Sequence, residues 1–315
     1  MSNQHDPSTT YRPLIATGAG ILFVSTASIF IRFAQAEASS ITIAAARLVI
    51  ASLVLVPIAL IRHGPEWRKM TSANLLKGIL SGIFLALHFA TWITSLQFTS
   101  IASSVVLVTT TPLWVAILSP LVLREPIRRS VIIGLVVSIA GGVIVGIGHT
   151  CAIDQGRVIC QGQVFTGRAM WGNFLALFGA WMAAGYMLIG RQLRKQLNTL
   201  TYVALVYGVA ALILSVAVFI RAEPVLGYSG ETYLWLLALG IIPQLLGHSL
   251  FNWSLKYISA AYVSLTLLGE PIGTIILALI FLRESPTSIE GVGAILILVG
   301  IVIGSVDRLK RVSAA

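Results

Sequence analysis

Charge is what this chain has least of. Only 10% of its 315 residues are Asp, Glu, Lys or Arg, while 57% are hydrophobic, against roughly one-quarter charged residues in a soluble domain. Such a balance excludes water as the main solvent. Also missing are a His-Glu-x-x-His metal motif, a Walker lysine loop, a Gly-x-Ser-x-Gly elbow and a dinucleotide fingerprint. No bound cofactor or metal is therefore expected, and no enzyme activity. With no soluble domain, an ATP-driven pump would need a second subunit.

What the chain has instead is a series of apolar runs near the 20 residues that one helical crossing of a bilayer requires. Hydropathy predicts helices near 13–33, 40–61, 74–97, 101–122, 128–149, 168–190, 198–220, 232–255, 259–282 and 286–306. The net charge of +10 would suit nucleic acid if it were clustered. It is spread over alternate loops instead, fifteen Lys and Arg on the side of the termini against five on the other, with Arg47 inside the second span. That asymmetry is the positive-inside signature, with both termini cytoplasmic. It predicts a lipid bilayer and no nucleic acid as partner. Ala34-Gln35-Ala36 imitates a signal-peptide cleavage site, but the apolar stretch before it is longer than a signal core. Cys151 and Cys160 both fall in the 150–167 loop on the outer side, where they form either a bridge that rigidifies a hairpin or two unpaired thiols.

The two halves match at a constant shift of 159: Arg32 with Arg191, Pro112 with Pro271, Arg124-Glu125 with Arg283-Glu284, Gly134 with Gly293 and Gly141 with Gly300. A shift that holds from first helix to last signals duplication. Five spans per unit is an odd number, so the second unit enters the membrane from the opposite side. The predicted fold is an all-α integral membrane protein of ten transmembrane helices in two inverted five-helix repeats, 13–149 and 168–306. Inverted repeats supply matching gates on opposite faces and a midplane solute site between them.

Thr111-Pro-Leu-Trp114 running to Leu123-Arg-Glu-Pro126, echoed by Leu268-Gly-Glu-Pro-Ile272 running to Leu282-Arg-Glu-Ser285, is similar to the two EamA repeats of the drug/metabolite transporter superfamily. Arg47, ahead of a Leu/Val/Ala-rich run, fits the same resemblance, whereas Arg124 stands where the family's first repeat usually has Gly. The resemblance implies a secondary transporter of an organic metabolite, an amino acid or similar compound, in a bacterial inner membrane.

Polar groups inside a bilayer each need a reason. Glu270 precedes Pro271 within the ninth span and suits proton coupling or an amine, or else bonds structurally beside the proline. Pro112 and Pro271 each remove a backbone donor, freeing the carbonyls of Val108 and Leu267 and suggesting paired hinges or packing kinks. Gln244, His248 and Asn252 recur every four residues on one helical face, and Ser81, His88, Trp92 and Ser95 form a similar face on the third span. Both faces either line a cavity or bond between helices. Trp181 and Tyr186, with Trp92, offer an aromatic wall for a partly apolar solute. Arg47 is predicted to snorkel to the outer interface or to meet a carboxylate or phosphate. Small residues at Gly134, Ser138, Gly142 and Gly146, and at Gly300 and Gly304, allow close helix packing, within a monomer or a homodimer. The sequon Asn252-Trp253-Ser254 lies in a span and cannot accept a glycan. A sugar-phosphate or nucleotide-sugar exchanger would need several deep cations, and Arg47 alone qualifies. A passive channel and an intramembrane enzyme using Glu270 and His248 complete the alternatives.

Overall fold

A bilayer offers backbone amides no partner but themselves, so apolar runs of this length fold as helices. The computed structural model describes residues 8–99, 101–148, 151–154, 157–160, 167–282 and 288–313. The first half holds α1 (Ser8–Ser25), α2 (Ala27–Ala34), α3 (Ser40–Arg68), α4 (Ser72–Ser95), α5 (Ile101–Val108), α6 (Thr111–Val122) and α7 (Arg129–Gly148). The second holds α8 (Gly167–Arg194), α9 (Thr199–Ile220), α10 (Gly230–Leu239), a π-helical segment (Gly240–His248), α11 (Ser249–Ser254), α12 (Ala260–Leu267), α13 (Glu270–Leu282) and α14 (Ser288–Ser313). Between them, β1 (Cys151–Asp154) and β2 (Arg157–Cys160) form an antiparallel hairpin that amends the all-α expectation. Its backbone register sets Cys151 opposite Cys160; the side chains, and with them the question of a bridge, lie outside the described residues.

Among the described residues six stretches are long and apolar enough to cross a membrane: Tyr11–Ala34, Ser40–Arg68, Ser72–Ser95, Gly167–Arg194, Thr199–Ile220 and Gly230–Ser254. Shorter apolar helices cover Thr111–Val122, Arg129–Ile144 and Gly291–Gly304. Helices of this length and composition make the chain a multi-pass integral membrane protein.

Three of the predicted continuous helices are interrupted. α1 gives way to α2 at Thr26, whose hydroxyl donates to the Phe23 carbonyl at 2.7 Å. α5 gives way to α6 at Thr109–Thr110, and α12 to α13 at Leu268–Gly269. The last two breaks are 159 positions apart, each just ahead of its proline. Pro112 and Pro271 therefore stand in the first turn of a new helix, where a missing N–H costs little, and do not kink a continuous one. α3 runs on from the predicted end at 61 to Arg68, leaving helical geometry at His63.

The packing repeats with the same shift. Ser39 caps α3 by accepting the Thr42 N–H, and Asn198, 159 positions on, caps α9 by accepting that of Leu200; α3 and α9 then pack against each other. α7 crosses α14 with Ser138 Oγ donating to the Ile297 carbonyl at 3.2 Å, again 159 apart. A residue bonded to its own repeat counterpart sits on the axis that relates the repeats. On either side of it the close approach of Gly134 to Gly300 is matched by that of Gly141 to Gly293. Gly142, expected in this ladder, has open space beside it instead.

One end of the bundle gathers the basic chain turns. There Arg191 and Lys195 both pair with Glu125, at 3.0 and 2.9 Å, Asn74 Nδ2 donates to Gln196 at 2.8 Å, and the Asn198 N–H donates to Glu66 at 2.7 Å. At the opposite end the Ser229 N–H donates to Glu37 at 2.7 Å. That bond, first, and the Thr232 hydroxyl hold the Glu37 carboxyl below its usual range, so this tie is present at neutral pH and is lost as pH falls through the lowered value.

A methyl group at Gly134 would sit 2.4 Å from the Gly300 carbonyl, whereas one at Gly142 meets nothing within 4 Å. Gly134→Ala should destabilise the protein by about 1–3 kcal/mol through overpacking and Gly142→Ala should not. Thermal unfolding of both variants in detergent checks this, and equal behaviour would contradict the crossing described.

Candidate functional site

Arg47 lies seven residues into α3, about 10 Å along the helix, close enough to the membrane edge for a side chain to snorkel. It does not. The residue is 0% exposed, because its position on α3 faces the bundle, and this corrects the expectation of an interfacial arginine. Its Nε donates to Gln244 Oε1 at 3.0 Å, and its guanidinium carbon stands 3.9 Å from the centre of the Phe89 ring, a cation–π contact in a low-dielectric setting. Nη1 and Nη2 are buried without a hydrogen-bond partner. Unmade bonds on a buried charge are expensive, so this guanidinium is not there for stability.

Arg47 opens onto a cavity of about 80 Å³. Positions 159 apart recur in its lining, among them Val24 with Ala183 and Trp92 with Phe251, so the cavity sits on the axis between the repeats. Its chemistry is asymmetric. Ala27 and its counterpart Tyr186, Phe89 and His248, and Thr111 and Glu270 all line it; in each of these pairs the second repeat contributes the ionisable group.

Glu270 begins α13, with the break behind it, and its backbone carbonyl accepts Ser25 Oγ from the end of α1 at 3.1 Å. Thr274 Oγ1 returns a bond to the Ser25 carbonyl at 3.2 Å, so the two broken helices fix each other. In the first repeat the hydroxyl of Thr111 donates to the freed Val108 carbonyl at 2.7 Å. Glu270, its counterpart, makes no equivalent side-chain bond to Leu267 among the described residues. Its carboxyl forms no hydrogen bond or ion pair among the described residues and faces the cavity. A guanidinium and a carboxyl thus border one space without a direct ion pair.

His248 also lines the cavity, its ring edge-on to Phe89 at 5.3 Å. His88 does so too, with Nδ1 bonded to the Gly179 carbonyl at 2.9 Å and its ring parallel to Trp92 at 6.0 Å. Asn252 ties the wall together: its Oδ1 accepts the Tyr186 hydroxyl at 2.6 Å and its Nδ2 donates to the Tyr207 hydroxyl at 3.1 Å. Pro112 reaches the lining while Pro271 is buried behind it.

Two expected lining residues stand elsewhere. Gln244 lies one layer back, holding Arg47, since the π-helical segment Gly240–His248 turns it from the face that four-residue spacing implies. Trp181 packs edge-on against Trp114, ring centres 5.4 Å apart, outside the cavity. Phe89, Thr111 and Tyr207 were not singled out by sequence. The 159 shift carried a signal for two of them, since Phe89 is the counterpart of His248 and Thr111 that of Glu270; Tyr207, counterpart of apolar Leu48, had none.

The EamA-like transporter family matches residues 13–147 and again 170–306. Among 29 matching solved chains, one described only as "Crystal structure of protein" superposes with a TM-score of 0.76 at 18% identity, covering 96% of this chain and 98% of its own. At that identity the likeness shows the fold alone. Among curated proteins none matches.

A buried cation with unmade bonds predicts a variant that loses nothing in stability. Arg47→Met, of similar length and apolar, should unfold at the same temperature as the native protein or higher. A melting temperature clearly lower would make Arg47 a structural residue.

Proposed function

Because the chain belongs to the EamA-like transporter family, a family of membrane transporters in the drug/metabolite superfamily, we propose that it carries a small zwitterionic organic solute, an amino acid or close relative, by alternating access. The observation that carries this reading is the Arg47 guanidinium, two of its nitrogens without a hydrogen-bond partner, and the Glu270 carboxyl in one cavity on the repeat axis, not in a direct ion pair. A carboxylate takes the two free guanidinium nitrogens side by side, and an ammonium answers Glu270. Asn252, Tyr186 and the ring of Trp92 border the remainder.

Size supports a compact head group. The volume of about 80 Å³ compares with about 30 Å³ for one water in the liquid, so the space takes the charged end of a solute, and a longer tail enters only as the helices part. The breaks ahead of Pro112 and Pro271 supply matched hinges for ten crossing segments that rock about the axis. His248 and Glu270 offer proton-carrying groups for coupling. The positive-inside count supports cytoplasmic termini in a bacterial inner membrane, and the opposed register of Cys151 and Cys160 supports a bridge across the outer hairpin. A phosphorylated sugar is disfavoured, since among the described residues Arg47 is the lone arginine or lysine in the cavity lining.

Counterflow in proteoliposomes preloaded with a panel of amino acids and amines tests the reading. Saturable exchange of one zwitterionic class is expected, falling about 10- to 100-fold in Arg47→Met and in Glu270→Gln, the worth of one charged hydrogen bond. Exchange unaffected by either substitution would defeat the assignment. Solute flux that never runs uphill on another solute's gradient would make the protein a channel.

A further inference from the structure

Away from the axis a second, larger hollow of about 380 Å³ opens at the basic end of the bundle, between α3, the start of α9 and α11. Its mouth carries Lys256, exposed and without a carboxylate partner among the described residues. Beside it, Arg194 is 2% exposed and spends its donors on neutral oxygens, the carbonyls of Asn252 and Leu197 and the hydroxyl of Thr199. The nearby carboxylate of Glu66 is occupied by the Asn198 N–H and the Thr201 hydroxyl. Two positive charges therefore flank the mouth with no direct counterion.

The same hollow is also lined by aromatic and apolar groups. Trp253 and Tyr257 line it together, ring centres 4.6 Å apart and planes tilted by 47°, and both are residue types that membrane–water interfaces favour. Leu55 and Leu245 give the hollow an apolar lining, and Leu245 lies eleven residues before Lys256 along the same helical run. A soluble anion has no use for that lining, and a neutral apolar chain has none for the mouth.

We propose that this groove binds an anionic phospholipid of the leaflet facing the basic end, its phosphate beside Lys256 and Arg194 and an acyl chain along Leu55 and Leu245. Basic pockets between membrane helices recognise lipid head groups in this way. The groove is separate from the axial cavity, so the inference stands whatever solute the protein carries.

Native mass spectrometry of the full chain in a neutral detergent, titrated with dioleoylphosphatidylglycerol or dioleoylphosphatidylcholine, tests it. Phosphatidylglycerol should bind at lower concentration than phosphatidylcholine, and Lys256→Gln should weaken it about fivefold, the contribution of one interfacial lysine. Lys77→Gln, at the same end but outside the groove, should leave binding unchanged, and excess inorganic phosphate should not displace the lipid. Equal binding of the two lipids, equal loss in the two variants, or displacement by phosphate would overturn the proposal.

Discussion

The Arg47 guanidinium is held in the middle of an apolar bundle by one hydrogen bond, to Gln244, and one ring face, Phe89. Everything around it follows from the cost of that arrangement. Gln244 has to be turned toward α3, which the π-helical segment accomplishes; such segments widen a helix where a side chain must be re-aimed. Gly240 admits the Ile50 side chain of α3 where a methyl group would come within 2.6 Å of it. Phe89 has to stand at the repeat axis, flanked by His248. An ionisable residue buried within a membrane bundle marks a candidate functional site.

Symmetry and chemistry divide the labour. The scaffold keeps the repeat: paired caps at Ser39 and Asn198, paired helix breaks, and a crossing of α7 and α14 centred on Ser138 and Ile297. The cavity breaks it, because the second repeat supplies Tyr186, His248 and Glu270 where the first has Ala27, Phe89 and Thr111. A two-fold site would offer the same groups twice. This one offers a guanidinium and a carboxyl.

Much of the scaffold was legible in the sequence because packing leaves periodic marks. The 159 shift survives in glycines and prolines, whose roles at helix crossings and helix starts tolerate few alternatives. Facing is harder to read than depth. Hydropathy places Arg47 near a membrane edge and cannot say whether it points to lipid or to the bundle, so the snorkelling expectation failed. Four-residue spacing put Gln244 on the face of His248 because it assumes α-helical geometry, which the π segment abandons. Trp181 misled for a related reason: aromatic residues suit lipid, core and solute alike, and its edge-on contact with Trp114 has no trace in one dimension.

The most direct test of the central claim is an experimental structure of the protein with its transported solute bound. The solute should occupy the axial cavity, its anionic group within hydrogen-bond distance of Arg47 Nη1 and Nη2 and its cationic group beside the Glu270 carboxyl. A solute bound elsewhere, with both side chains still unengaged, would contradict it.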